Sequence, residues 1–239
     1  MANGKGDGAP LECARLSYMN DIEVLVGKER ARFMVHTDII CSHAPFFDAA
    51  LKRWKQDKDP MLLEHTIPEV FNTYLECIYT GKLTLRGGSS DFSNPVDAAF
   101  DRIIDVYILG DELGDLQTCN NLIDQLIYEC GARDWYPAQR TACKAWLSAP
   151  IGSPLRRLFT TFYVQDLAPH ALRSFLADCQ LPVDFVCSLV TRFSEVTERG
   201  NGTKDLFTRS FNSPRCEYHQ HDALHPVLKE CNEPRRYRE

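Results

Sequence analysis

The chain has 239 residues, 27 Lys/Arg against 33 Asp/Glu, 10 cysteines and 44% apolar residues. That length suits one or two domains with a real core, and the composition excludes disordered, collagenous and coiled-coil classes. No run approaches the roughly 18 apolar residues that span a bilayer. The polar, Gly-rich Met1–Pro10 also lacks the apolar stretch of a signal peptide, so the expected location is intracellular, in cytoplasm or nucleus, with no membrane partner.

Charge is unevenly spread. Residues 199–239 hold 8 basic against 6 acidic side chains, which leaves the preceding body at −8. Within that body, residues 97–129 hold 8 acidic residues and one basic one, Arg102. An acidic body argues against nucleic acid and anionic membranes as partners. The first reading of the acidic block is a solvated helical face, and the second is a partner surface. No Cys-x-x-Cys occurs, which excludes thioredoxin-type and ribbon-type sites, so most cysteines are expected to be buried free thiols.

In chain order, residues 1–20 read as a flexible lead, with a short helix at 11–19 placing Leu11, Arg15 and Tyr18 at helical spacing. Two β-rich runs, around Ile22–Val26 and Ala31–Val35, flank Gly27-Lys28-Glu29-Arg30 and predict a hairpin. A short helix from Thr37 through Cys41 and a second from Pro45, carrying Phe46, Phe47, Ala50 and Leu51, come next. Residues 54–60 read as a charged loop, and Met61-Leu62-Leu63 as a short strand. Ile67, Val70, Phe71, Tyr74, Leu75, Ile78 and Tyr79 then mark one face of a helix, with Thr66 and Pro68 at its start and Gly81 at its stop. After a loop at 86–94, a helix capped by Asn94 and Pro95 runs to Ile108, and a third carries Leu116 to Ile127 and stops at Gly131. A looser helical half follows, over Ala138–Leu147, from Ser153-Pro154 to Tyr163, around Phe175-Leu176, and from Phe185 to Phe193. From Arg199 the apolar periodicity ends, and the tail is expected to be disordered.

This order carries a set of motifs. They are Asp21-Ile-Glu-Val-Leu-Val-Gly27, Phe33-Met-Val-His36, Ile40-Cys41, Pro45-Phe46-Phe47, Pro68-Glu-Val-Phe71, Ile78-Tyr79-Thr80-Gly81-Lys82-Leu83 and Tyr107-Ile-Leu-Gly-Asp-Glu-Leu-Gly-Asp-Leu116. Together they resemble the BTB/POZ family over about residues 21–130, with Asp21, Gly27, Phe33, His36, Phe71, Tyr79 and Gly81 as the structural positions. Gly152-Ser-Pro-Leu-Arg-Arg157 with Phe185–Val190 is similar to the helical second half of fungal BTB proteins. The fold implied is α+β, a small sheet packed on a helical cluster over 21–130. A helical extension over 131–198 and a flexible Cys/His-containing tail over 199–239 follow it.

The resemblance implies an interaction module that self-associates or docks protein partners, with a homodimer and a cullin among the candidates. Docking is expected at the edge formed by Phe47, Leu51, Trp54, Lys55 and Gln56. Cullin-binding members carry a hydrophobic-x-Glu motif in this loop, and here Trp54 fills the hydrophobic position while Gln56 replaces Glu. Transcription-factor members pair an Asp with a basic neighbour; here Asp21 stands beside Thr37, which argues against a repressor pocket. The leading segment 11–19 corresponds to the part exchanged between subunits in dimerising members. A structural role is expected for His36, its ring bonding to Asp21 and fixing the hairpin against the first helix.

The tail holds Cys216-x-x-His219-x-His221 and Cys231, four N/S donors of the kind a tetrahedral zinc site needs. Zinc is therefore the one cofactor expected. A metal-binding or nucleic-acid-associated regulator acting through this tail is the alternative to an interaction module. Enzyme motifs for nucleophile elbows, phosphate loops, dinucleotides and zinc proteases do not occur, so no catalytic residues are assigned.

Overall fold

The computed structural model describes residues 21–53, 60–84, 95–133, 137–166, 181–198 and 218–221. The expected helices at 11–19 and around Phe175, and the loops at 54–59 and 86–94, lie outside these residues. Strand β1 (Asp21–Val26) pairs antiparallel with β2 (Ala31–His36), with Val24 opposite Phe33. The four-residue turn needs Gly27, whose φ is +76° and whose missing Cβ would lie 3.3 Å from the Pro68 ring and the Thr66 carbonyl. Strand β3 (Met61–Leu63) joins β1 in parallel on its other side, giving the order β2-β1-β3. Alternation puts Val24, Val26, Val35 and Met61 on the inner face, all buried.

Helices α1 (Thr37–His43) and α2 (Pro45–Arg53) follow the hairpin, and α3 (Pro68–Thr80) follows β3. Pro68 opens α3 as expected, but its N-cap is Ile67 rather than Thr66, and no side chain caps it. Gly81 ends it in the left-handed region at φ 72°, its N–H donating to the Cys77 carbonyl at 2.8 Å. The buried side of α3 is Phe71, Tyr74, Cys77 and Ile78, and Phe71 meets Phe33 of β2 edge to face at 5.1 Å. Helix α4 (Pro95–Leu113) packs on α3 and on α5 (Leu116–Arg133). Helices α6 (Gln139–Ser148), α7 (Pro154–Asp166) and α8 (Val183–Glu198) continue the helical layer. A single hydrophobic cluster runs from Val24 of the sheet to Leu189 of α8. The helical second half thus shares the core of the sheet-bearing half.

A buried carboxylate joins the first half. Asp115 immediately precedes α5, and its side chain is fully buried. Its Oδ1 accepts the Thr118 N–H at 2.9 Å, which caps α5. Its Oδ2 accepts the Tyr74 hydroxyl of α3 at 3.0 Å. The Nδ1 of His43, at the end of α1, lies 3.5 Å from the same oxygen, in ion-pair range but without hydrogen-bond geometry. Burial, with the Asp115 charge beside it, pushes the Tyr74 phenol far above its ordinary range, so it remains a proton donor.

The acidic block has a different role from the solvated face expected for it. Asp101 of α4 accepts the Thr141 hydroxyl at 2.7 Å and pairs with Arg140 at 3.3 Å. Lys144 reaches Asp105 at 2.8 Å and the Asp101 carbonyl at 3.3 Å. Helix α6 is therefore held on the acidic side of α4. The sequence pattern missed this because Arg140 and Lys144 lie about 40 residues away from their partners.

Asp115→Ala removes a helix cap and strands the buried Tyr74 hydroxyl, and is expected to cost about 3 kcal/mol. Asp115→Asn keeps the capping oxygen and is expected to cost about half as much. Urea unfolding of both variants checks this; equal midpoints for Asp115→Ala and the parent chain would refute the role of Asp115.

Candidate interaction surfaces

The family-motif residues of the sheet form a structural clasp. The His36 backbone N–H donates to the Tyr79 hydroxyl oxygen at 3.2 Å, and that hydroxyl lies 2.7 Å from His36 Nδ1. The Tyr79 hydroxyl thus bonds both the backbone and the ring of His36, with the direction of the ring bond set by the imidazole tautomer. Asp21 Oδ1 is 4.0 Å from Nε2. The expectation of a ring bond to Asp21 therefore changes: the hydrogen bond goes to Tyr79, and the hairpin is fixed against α3 rather than α1. The signal was present in Ile78-Tyr79, but the sequence could not place Tyr79 opposite His36 across 43 positions.

The docking edge also changes. Phe47 is fully buried, enclosed in the core, and cannot contact a partner. Its neighbour Phe46 is 43% exposed and meets the Phe47 ring edge to face at 5.4 Å. The helix turns about 100° per residue, so adjacent phenylalanines cannot share one face, and α2 turns Phe47 inward. Leu51 is half-buried against the core. Trp54, Lys55 and Gln56 lie outside the described residues.

The outer face of the sheet carries an apolar surface that the sequence pattern did not single out. Leu25 pairs with Arg32 on one side and with Leu62 on the other, and Met34 sits opposite Glu23. Strand alternation turns these side chains away from the buried face that holds Val24 and Met61. Met34 is 63% exposed and Leu62 45%, with Leu25 half-buried between them. Arg32 and Glu23 form an ion pair on the same face. Alternating apolar and charged residues in β1 and β2 was the available signal, but it did not say which alternate set faces the helices.

The second half offers a different surface. Trp146 of α6 stacks on Phe185 of α8 at 4.5 Å, and its Nε1–H donates to Asp184 at 2.7 Å. Arg156 of α7 covers the other part of this junction, 4.8 Å from the Trp146 ring and 3.4 Å from Asp184. An open cleft of about 540 Å³ lies between α7 and α8, with Arg156, Arg157, Asp184 and Cys187 in its wall. On α8, Val183, Val190 and Phe193 are exposed.

The cysteines bear on the enzyme question. Among the described cysteines, Cys77, Cys119 and Cys130 are buried, Cys41 and Cys143 half-buried and Cys187 exposed, so core filling accounts for fewer of them than expected. Burial, reinforced by Glu76 and Asp115, pushes the Cys77 thiol up to about 12. Burial likewise raises Cys119 well above the usual range, and raises Cys41 with help from Asp48 and Asp38. Such thiols stay protonated near neutral pH and are poor nucleophiles.

In the tail, Tyr218–His221 is packed onto the helices, unlike the disorder expected for residues 199–239. Tyr218 is 3% exposed and joins the hydrophobic core. His219 Nε2 lies 3.0 Å from Asp124 of α5, with both side chains largely buried. The His219 and His221 rings are 6.5 Å apart, and Cys216 and Cys231 lie outside the described residues. Among the described residues, no group of three or more His, Cys, Asp or Glu side chains is placed to hold a metal. No helix among them is long and apolar enough to cross a membrane.

No curated protein matches the chain in sequence. Residues 13–99 match the family model of the BTB/POZ domain, which spans the hairpin, β3, α1 to α3 and the start of α4. The match coincides with the sheet, the His36–Tyr79 clasp and the Gly27 and Gly81 stops that the motifs singled out, and the chain carries a BTB/POZ domain over residues 13–99.

Proposed function

We propose that this is a non-catalytic intracellular protein that self-associates through its BTB/POZ domain and docks protein partners, serving as a substrate adaptor of a cullin-RING ubiquitin ligase. The observation that carries self-association is the outer sheet face, where Leu25 and Leu62 stand side by side on β1 and β3 and the exposed Met34 of β2 lies diagonal to Leu25. The Arg32–Glu23 pair crosses this face between Leu25 and Met34, so apolar side chains and a charged pair are presented together to a partner. Phe46 of α2, rather than Phe47, supplies the exposed aromatic of the docking edge. Trp54, with Lys55 and Gln56, is its anchor toward a cullin, because an aromatic anchor tolerates the loss of one steering charge better than the reverse. The helical second half, similar to that of fungal BTB proteins, extends the platform.

Light scattering is expected to give a dimer mass for the parent chain and a monomer mass for Met34→Asp/Leu62→Asp at equal concentration. A parent chain that stays monomeric at high concentration ends the self-association reading. A pull-down is expected to recover a cullin with the parent chain and several-fold less with Trp54→Ala; equal recovery would remove Trp54 from the interface.

Zinc held by Cys216, His219, His221 and Cys231 is the second reading. The feature favouring it is the Asp124–His219 pair, since a carboxylate on one imidazole nitrogen is the usual support for a metal-binding histidine. Elemental analysis of the purified chain is expected to show one equivalent of zinc, lost in Cys216→Ser. A metal-free parent chain refutes it.

A further inference from the structure

Residues 218–221 are held by polar groups of three helices of the body, α4, α5 and α7. The Tyr218 hydroxyl donates to Thr161 Oγ1 of α7 at 3.0 Å, while the Thr161 proton goes to the Arg157 carbonyl at 3.1 Å. Asn120 of α5 uses both ends of its amide on one residue. Its Nδ2 donates to the Gln220 carbonyl at 2.8 Å, and its Oδ1 accepts the Gln220 N–H at 2.8 Å. One turn further along α5, Asp124 holds His219 at 3.0 Å. The Gln220 side chain is hydrogen-bonded to Asp111 of α4.

A bidentate amide on a peptide N–H and C=O is how a neighbouring strand reads an extended chain. It gives affinity without sequence preference. Sequence preference comes from the side chains: Thr161 takes a phenol, Asp124 an imidazole and Asp111 an amide. Asn120, Asp124 and Thr161 are themselves buried, at 8%, 5% and 5% exposure. That burial includes the cover given by the segment itself, which supplies each of these groups with a hydrogen-bond partner.

We propose that the α4–α5–α7 groove is a peptide-binding site for a Tyr-His-Gln sequence, with Tyr218–Gln220 as its tethered ligand and the same segment of a second copy as its ligand in trans. A tethered segment acts at an effective concentration on the order of millimolar. A free peptide therefore enters only when the tether's own contacts are weakened. Gln220→Pro does this within the full chain, because proline has no N–H for Asn120 Oδ1 and the groove residues are untouched.

The probe is a fluorescent peptide of residues 217–224, which omits Cys216. Its anisotropy is expected to report binding to full-length Gln220→Pro at least tenfold tighter than to the parent chain. Adding Asn120→Ala is expected to weaken that binding at least tenfold, and a scrambled peptide is expected not to bind. A folded Gln220→Pro chain that does not bind the peptide overturns the proposal, as does binding that is indifferent to Asn120→Ala. A Gln220→Pro chain that loses its cooperative thermal transition also overturns it, since the segment would then be an obligatory part of the core.

Discussion

The fold depends on one buried carboxylate. Asp115 sits where α4 hands over to α5, and a charge with a fully buried side chain is tolerated only with good partners. Those partners fix two elements at once, the start of α5 through Thr118 and the middle of α3 through Tyr74, while His43 at the end of α1 lies 3.5 Å away. The hairpin is then tied to the same helix α3 by Tyr79, one turn and a half beyond Tyr74. Sheet and helices thus share α3 as a common reference, and the outer sheet face is turned to solvent as a result.

The same logic extends through the acidic half of the chain. Asp101 and Asp105 hold α6, Asp111 and Asp124 hold the tail, and Asp115 holds the first helices. These carboxylates are internal acceptors whose donors come from distant segments. The negative charge of the body is therefore partly a framework for assembly, and the surface field is weaker than the residue count implies. This framework also reaches the described part of the tail, where Asp124 meets His219 and Asp111 meets Gln220. Histidine, amide and phenol donors find acceptors there that an apolar groove would not provide.

Much of the architecture was legible in the sequence. The hairpin turn required Gly27, α3 required Pro68 and Gly81, and the 3.6-residue spacing of Phe71, Tyr74 and Ile78 named its buried face. The family resemblance was also legible, because its motifs are local. Less of the interaction site could be read. Phe46 and Phe47 are equivalent in sequence, and only the direction of α2 turns Phe47 into the core. Met34, Leu25 and Leu62 come from three strands, one of them paired in parallel after a long connection, so no local pattern joins them.

The sequence by itself determined the order and type of the elements and that a small sheet meets a helical cluster, although α4 runs on to Leu113 and α5 passes Gly131 to end at Arg133. Those properties follow from dihedral preferences and apolar periodicity, which act within a few residues. The tertiary structure alone decided which face of the sheet is exposed and that His36 pairs with Tyr79. It also decided that the acidic block binds α6, and that Tyr218–His221 rejoins the core 100 residues from Asn120. Each of these depends on a polar group meeting its partner across the fold, and the partner is chosen by packing geometry rather than by neighbours in the chain.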